Sequence, residues 1–310
     1  MPESSELRDQ ARHYVRGLIA AIGKNPEVQA LYVLSSSANT SENVTVFGKD
    51  SDFDLAVIVD VPLRSDEWRP DPEDTYTLVA DRIPDWVPEF SFYLPVAWGS
   101  MEVNVHQLIY QYEADVRTVW NSDKCDAYAN KGEPLLDRAG RFGELIALKT
   151  REQQHRLGLE EPRLLNRITW DAREIAVKQA HRVGPPSGHV VLSMALEEVI
   201  DWVYITNGRL IPNRKWKLFQ LRALGMVTEE QEQLLLQVMA CAPHSMSDLE
   251  RRIDVLARLC GSLGIPLDSH SIRRTRKSYQ RHKQLLGARA AVYTSRPTPR
   301  LIPYVGRVRA

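Results

Sequence analysis

Several things are scarce in these 310 residues, and each scarcity excludes something. There are three cysteines, Cys125, Cys241 and Cys260, an odd number with no CxxC pair. That rules against a disulfide framework and a cysteine-built zinc site, and it suits a reducing cytoplasm. No apolar run approaches the ~20 residues that span a bilayer, and residues 1–20 lack the cationic start and continuous apolar core of a secretory signal. The expectation is a cytoplasmic protein that does not enter a membrane. Net charge is also missing, since 40 lysines and arginines balance 40 aspartates and glutamates. A bulk nucleic-acid coat is thereby excluded, and contact with nucleic acid would need a local patch. No repeat of fixed period is present.

What the chain does have is one stretch around which the rest is organised, Gly48-Lys49-Asp50-Ser51-Asp52-Phe53-Asp54-Leu55-Ala56-Val57-Ile58-Val59-Asp60. Leu55–Val61 is almost wholly apolar and rich in β-branched residues, the composition of a buried strand. Asp52 and Asp54 stand at its entrance, on alternate positions and so on one face, about 7 Å apart along the backbone. Two carboxylates so placed repel, and a cation between them makes the arrangement tolerable; Mg²⁺ suits such hard oxygen ligands. Turn formation or capping also explains many Asp-x-Asp pairs. A second apolar run, Glu27–Leu34, breaks into Ser35-Ser36-Ser37-Ala38-Asn39-Thr40-Ser41. A strand that ends in small hydroxyl residues offers N–H and Oγ groups to phosphate oxygens.

The order of strand, small-residue turn, Ser51-Asp52-Phe53-Asp54-Leu55 and apolar strand resembles the nucleotidyltransferase superfamily typified by DNA polymerase β and kanamycin nucleotidyltransferase. That family carries Gly-Ser where this chain has Ser35-Ser36. The resemblance implies an α+β fold, a mixed nucleotidyltransferase sheet with covering helices followed by an all-α domain. It also implies a third acid on a later strand. Met101–Leu108 alternates cleanly, with Met101, Val103 and Val105 on one side and Glu102, Asn104 and His106 on the other. Glu102 is its only acid and takes the third role. His106, on the same face, reaches either a phosphate or a neighbouring side chain. Three acids that converge would hold two Mg²⁺ ions, one at the attacking oxygen and one at the triphosphate.

Elsewhere the pattern predicts a first helix over 4–22, a short helix over 75–83, a strand over 90–96, a helix over 108–120 and an extended segment over 131–140. Leu135-Leu136-Asp137-Arg138-Ala139-Gly140 weakly resembles a Leu-Tyr-Asp-x-x-Gly segment of small-molecule nucleotidyltransferases. From Phe142 the chain predicts helices over 144–157, 162–183, 190–206, 214–224, 228–239, 247–263 and 269–286. The domains expected are 1–140 (catalytic), 141–288 (helical) and a basic, proline-containing tail over 289–310.

In the helical half, Tyr204–Leu218 ends one helix at Asn207-Gly208 and opens another with Arg214, Lys215 and Lys217 around Trp216. Cations at a helix start oppose its dipole and are better placed when they face an anion. The segment is similar to an Asn-x-x-Tyr-x-Pro-x-x-Lys-Trp stretch of a bacterial two-domain nucleotidyltransferase group. Lys215 is the first candidate for a triphosphate contact and Arg209 the second; a solvated basic turn is the plainer alternative. Glu197, Glu198 and Asp201 are open candidates for a general base. After Asp268 no acid remains while eleven lysines and arginines do, which fits a covering tail, phosphate capture, an RNA acceptor or an oligomer contact.

The function expected is Mg²⁺-dependent transfer of a nucleoside monophosphate, AMP from ATP, to a hydroxyl of a small-molecule acceptor, by a monomer or homodimer. The alternatives are a non-catalytic nucleotide- or partner-binding protein of antitoxin type, and an RNA-terminal nucleotidyltransferase, for which nucleic acid is a possible but less favoured partner.

Overall fold

The structure is a computed structural model that describes residues 2–63, 77–82 and 89–267. Among these the fold is α+β. The element order is α1 (Pro2–Lys24), β1 (Val28–Leu34), β2 (Phe53–Val59), β3 (Thr77–Arg82), β4 (Glu89–Val96), β5 (Gly99–Ile109), α2 (Tyr110–Ala114), α3 (Ser122–Ala129), β6 (Glu133–Asp137), α4 (Arg141–Trp170), α5 (Ala176–Val183), α6 (Pro185–Thr206), α7 (Lys217–Ala223), α8 (Glu229–Met239) and α9 (Met246–Ser262). The sheet runs β3-β4-β5-β2-β1-β6. Only β2 and β5 pair in parallel, with Asp54 level with Asn104 and Ala56 with His106; the other pairs are antiparallel.

The residues divide into two compact units. One comprises the described residues up to Glu161 together with Val199–Leu236; the other comprises Pro162–Glu198 and the described residues from Gln237 onward. Segment 199–236, which the sequence assigns to the helical half, therefore groups with the sheet. Apolar contact explains this, because Leu210, with Ile205 and Ile211 packed beside it, belongs to a sheet-face cluster.

Both faces of the sheet are covered. On one, Ala11, Val15, Leu18 and Ile22 of α1 pack on Leu31, Val33, Leu55, Val57, Val103 and Val105. The other face carries Ala30, Tyr32, Ala56 and Ile58 against Trp120, Tyr128, Phe142 and Leu145. Tyr32, Tyr128 and Phe142 meet edge-to-face at 5.3 to 6.3 Å, a favoured ring geometry. Asp54 sits two residues before Ala56, so its side chain belongs to this second face.

Three expected elements are corrected. The helix over 75–83 is a strand over Thr77–Arg82, held by antiparallel pairing to β4; tertiary pairing overrides local pattern there. The helix over 108–120 stops at Ala114, because Arg117 donates through its backbone N–H and its guanidinium to Asp115 and fixes a turn. A separate helix then starts behind Asn121, whose side chain accepts from Lys124 N. The helices over 144–157 and 162–183 are one helix from Arg141 to Trp170, with Pro162 inside it, continued by a π-helical run over Asp171–Ile175 into α5. The helix over 269–286 and the basic tail lie outside the described residues.

Candidate active site

The two aspartates are held from three sides within the sheet-containing unit. Ser37 is fully buried; its Oγ donates to the Asp52 carbonyl at 3.1 Å and accepts from Asp54 N at 3.4 Å. The serine turn after β1 is thus tied to the acid-bearing end of β2. From β5, the Asn104 amide donates through Nδ2 to Asp52 Oδ2 at 3.2 Å and to Asp54 Oδ1 at 3.3 Å. Its orientation follows from β4, where Ser91 Oγ donates to Asn104 Oδ1 at 2.8 Å. His106 Nε2 lies 3.8 Å from Asp54 Oδ1.

The acid pair carries a visible electrostatic cost. Burial raises Asp52 above the usual carboxylate range, and the neighbouring Asp54 charge raises it further; a backbone hydrogen bond, the Lys215 ammonium and His106 act the other way. Of the charges acting on Asp52, the acidic one is Asp54. Lys215 therefore stands within electrostatic reach of the pair. Its position is set locally. Ile211 N donates to Ser122 Oγ at 2.5 Å, Asn213 Nδ2 donates to Asp123 Oδ2 at 3.0 Å, and the Asn213 side chain accepts from Lys215 N. A short 3-10 turn over Arg214–Trp216 then exposes Lys215, whose Nζ lies 5.8 Å from the Trp216 ring.

The turn over Ser35–Ser37 is itself a 3-10 segment, and Ser35 has φ of 57°. Side chains hold its carbonyls. Asn43 Nδ2 donates to Ser35 O at 2.6 Å, Arg8 Nε to Ser36 O at 3.0 Å, and Arg12 Nη2 to Ser37 O at 3.2 Å. Arg12 also pairs with Glu133 of β6, whose Oε2 accepts from Asn39 N at 2.7 Å.

Of the residues expected from sequence, Asp52 and Asp54 share the Asn104 amide, and the Lys215 ammonium acts on Asp52 electrostatically. Ser35 is half-buried and Ser36 buried in the adjoining turn. Arg209 pairs with Glu42 at 2.6 Å, so its guanidinium is already engaged by a carboxylate. Glu102 is on the expected face of β5 but opposite Tyr93, and the side chain brought onto both aspartates is Asn104. The missed signal was Asn104's place on the same alternating face, which gains meaning only with the parallel register of β2 and β5.

A second cluster competes for attention in the other unit. His189, Cys241 and Asp248 place potential ligand atoms within 4.8 Å of one another. There, however, the buried Arg252 donates from Nη1 to His189 Nδ1 at 2.7 Å and Cys241 Sγ at 3.5 Å, while His189 Nε2 bonds Ser245 O at 3.1 Å. A guanidinium occupies the cation's role, and both imidazole nitrogens are used. Among the described residues no lysine or arginine bonds Asp52 or Asp54, and their hard oxygen donors fit a divalent ion.

Comparison with solved structures finds a distant similarity. The chain is similar to a nucleotidyltransferase-like protein from Exiguobacterium sibiricum. Identity is 13%, the match covers 81% of this chain and 75% of that one, and the TM-score is 0.37. At that distance nothing of its chemistry transfers. No protein-family model and no curated protein matches the sequence. No helix among the described residues is long and apolar enough to cross a membrane.

Proposed function

We propose that the protein is a nucleotidyltransferase that moves a nucleoside monophosphate from a triphosphate to a hydroxyl of a small molecule. The observation that carries this is the placement of Asp52 and Asp54 on one face of β2, bonded through Ser37 to a small-residue turn, with the Lys215 ammonium in reach. The carboxylates would hold Mg²⁺, which supplies charge neutralisation for the triphosphate and the leaving pyrophosphate. The turn carbonyls, held by Asn43, Arg8 and Arg12, keep the backbone rigid where phosphate oxygens would rest. Lys215 offers a mobile point charge to the same anion, and its exposed ammonium suits a group that approaches from solvent. ATP is the donor first to be tried.

A second reading is a nucleotide-binding protein without turnover, favoured by an amide, Asn104, at the place beside the aspartates where a third carboxylate would help to hold the cation. One experiment separates the two. Protein, Mg²⁺ and each nucleoside triphosphate are incubated with a panel of hydroxylated small molecules, and pyrophosphate is measured. Acceptor-dependent release supports transfer. Saturable nucleotide binding without release across the panel, RNA and protein acceptors included, supports the second reading.

A further inference from the structure

We propose that Asn104 is the third protein ligand of a divalent cation at Asp52 and Asp54, through its side-chain oxygen, after a flip of the amide that Ser91 permits. This rests on the reading that the aspartate pair holds such a cation. As the side chains stand, Asn104 Nδ2 donates to both carboxylates and Oδ1 accepts from Ser91 Oγ. That orientation suits two carboxylate oxygens as acceptors, since an NH2 group has two hydrogens to share. It is the wrong end of the amide once a cation arrives, because N–H hydrogens and a metal ion repel.

Rotation of the terminal torsion by about half a turn exchanges the two ends, and this sp³–sp² torsion is broad. Oδ1 then points to the aspartates and Nδ2 to Ser91. A serine hydroxyl both donates and accepts. Ser91 is buried, and in either orientation its hydroxyl and the amide remain paired, so neither state leaves a buried polar group unsatisfied. An Asp or Glu at position 91 only accepts and would lock one orientation; serine serves both.

The position of Asn104 favours it over Glu102 as the ligand. Asn104 is level with Asp54 in the parallel register, and its amide already lies within 3.3 Å of both carboxylates. Two carboxylates and one amide oxygen make a set of hard donors that leaves positions open for water and phosphate. The set carries one negative charge fewer than three acids, so free cation binds it more weakly, and a triphosphate would bring the missing charge with it.

The test is a Mn²⁺ titration followed by electron paramagnetic resonance on wild type, Asn104→Ala, Glu102→Gln and Asp52→Asn. The expected pattern is loss of the site in Asp52→Asn, weakening by about tenfold or more in Asn104→Ala, and wild-type affinity in Glu102→Gln. Equal or tighter binding in Asn104→Ala would show the amide to be a mere spacer and overturn the proposal, as would a loss confined to Glu102→Gln. Mn²⁺ binding in wild type that Asp52→Asn leaves untouched, or none at all, removes the cation site itself. A second readout needs no variant: the Asn104 side-chain ¹⁵N–¹H signals in wild type should move with saturating Mg²⁺. Signals that stay fixed while Mg²⁺ binds at Asp52 would refute the flip.

Discussion

The side-chain amide of Asn43 donates to the carbonyl of Ser35 at 2.6 Å, and Ser35 is the one non-glycine among the described residues with positive φ, 57°. The left-handed region costs an L-residue roughly 1–2 kcal/mol, and the family that the sequence resembles has glycine here. Asn43, Arg8 and Arg12 hold the turn against that cost. Ser35→Gly should therefore raise stability, by about 0.5 to 1 kcal/mol once the greater freedom of glycine in the unfolded chain is counted. Denaturant unfolding reads the change. A clear loss would mean that the serine side chain contributes more than its backbone costs.

Asp52 supplies a pH signature. Its carboxyl is raised above the usual range by burial first and by Asp54 second, so the folded state holds this proton more tightly than the unfolded chain. The associated stability is present at acid pH and declines as pH climbs from the ordinary aspartate value through the raised one. Asp52→Asn removes that decline. In chelator, its melting temperature should exceed that of wild type at neutral pH, with the gap closing towards acid. A variant less stable than wild type at neutral pH would mean that Asp52 is a net structural asset.

Lys215 is tested by binding. Its ammonium acts on Asp52 yet is exposed, on a turn pinned by Asn213 to Asp123. Lys215→Ala should weaken triphosphate affinity by about 1–3 kcal/mol, the scale of a charge-assisted hydrogen bond, while affinity for the unphosphorylated nucleoside stays the same. Calorimetry distinguishes these; equal losses for both ligands would point to a general disturbance of the turn.

Arg252 tests the other unit. It is 1% exposed, and besides His189 and Cys241 it donates to Val238 O at 2.6 Å and Ser193 Oγ at 3.0 Å. Arg252→Met strands several buried acceptors and should cost about 3 kcal/mol or more. Zn²⁺ should leave the wild-type melting temperature unchanged, because the guanidinium already bonds two of the three candidate ligands. Stabilisation by Zn²⁺ would mean that the cluster is a metal site after all.

The sequence made the strands legible where alternation or β-branched runs were strong, as in β1, β2 and β5. Local chemistry and the family resemblance together singled out the acid pair, the serine turn and Lys215, and the structure ties the serine turn to the acid-bearing end of β2. What it concealed were consequences of pairing and register. Thr77–Arg82 is a strand because β4 is beside it, and nothing within six residues says so. Asn104 is the side chain bonded to both aspartates because β5 pairs in parallel with Asp54 level with Asn104, and a search for carboxylates passes over an amide. Pro162 within α4 misled as a helix start because proline is tolerated in a first turn, yet here the helix had begun at Arg141.

The central claim is nucleotidyl transfer at Asp52 and Asp54, and its most direct measurement is the fate of the phosphates. Wild type and Asp52→Asn are incubated with Mg²⁺, cell-extract metabolites and ATP labelled at the α or the γ phosphate. Transfer predicts α label on a new product and γ label in pyrophosphate with wild type, and neither with Asp52→Asn. Gamma label on the acceptor, or α-label transfer undiminished in Asp52→Asn, would contradict the account.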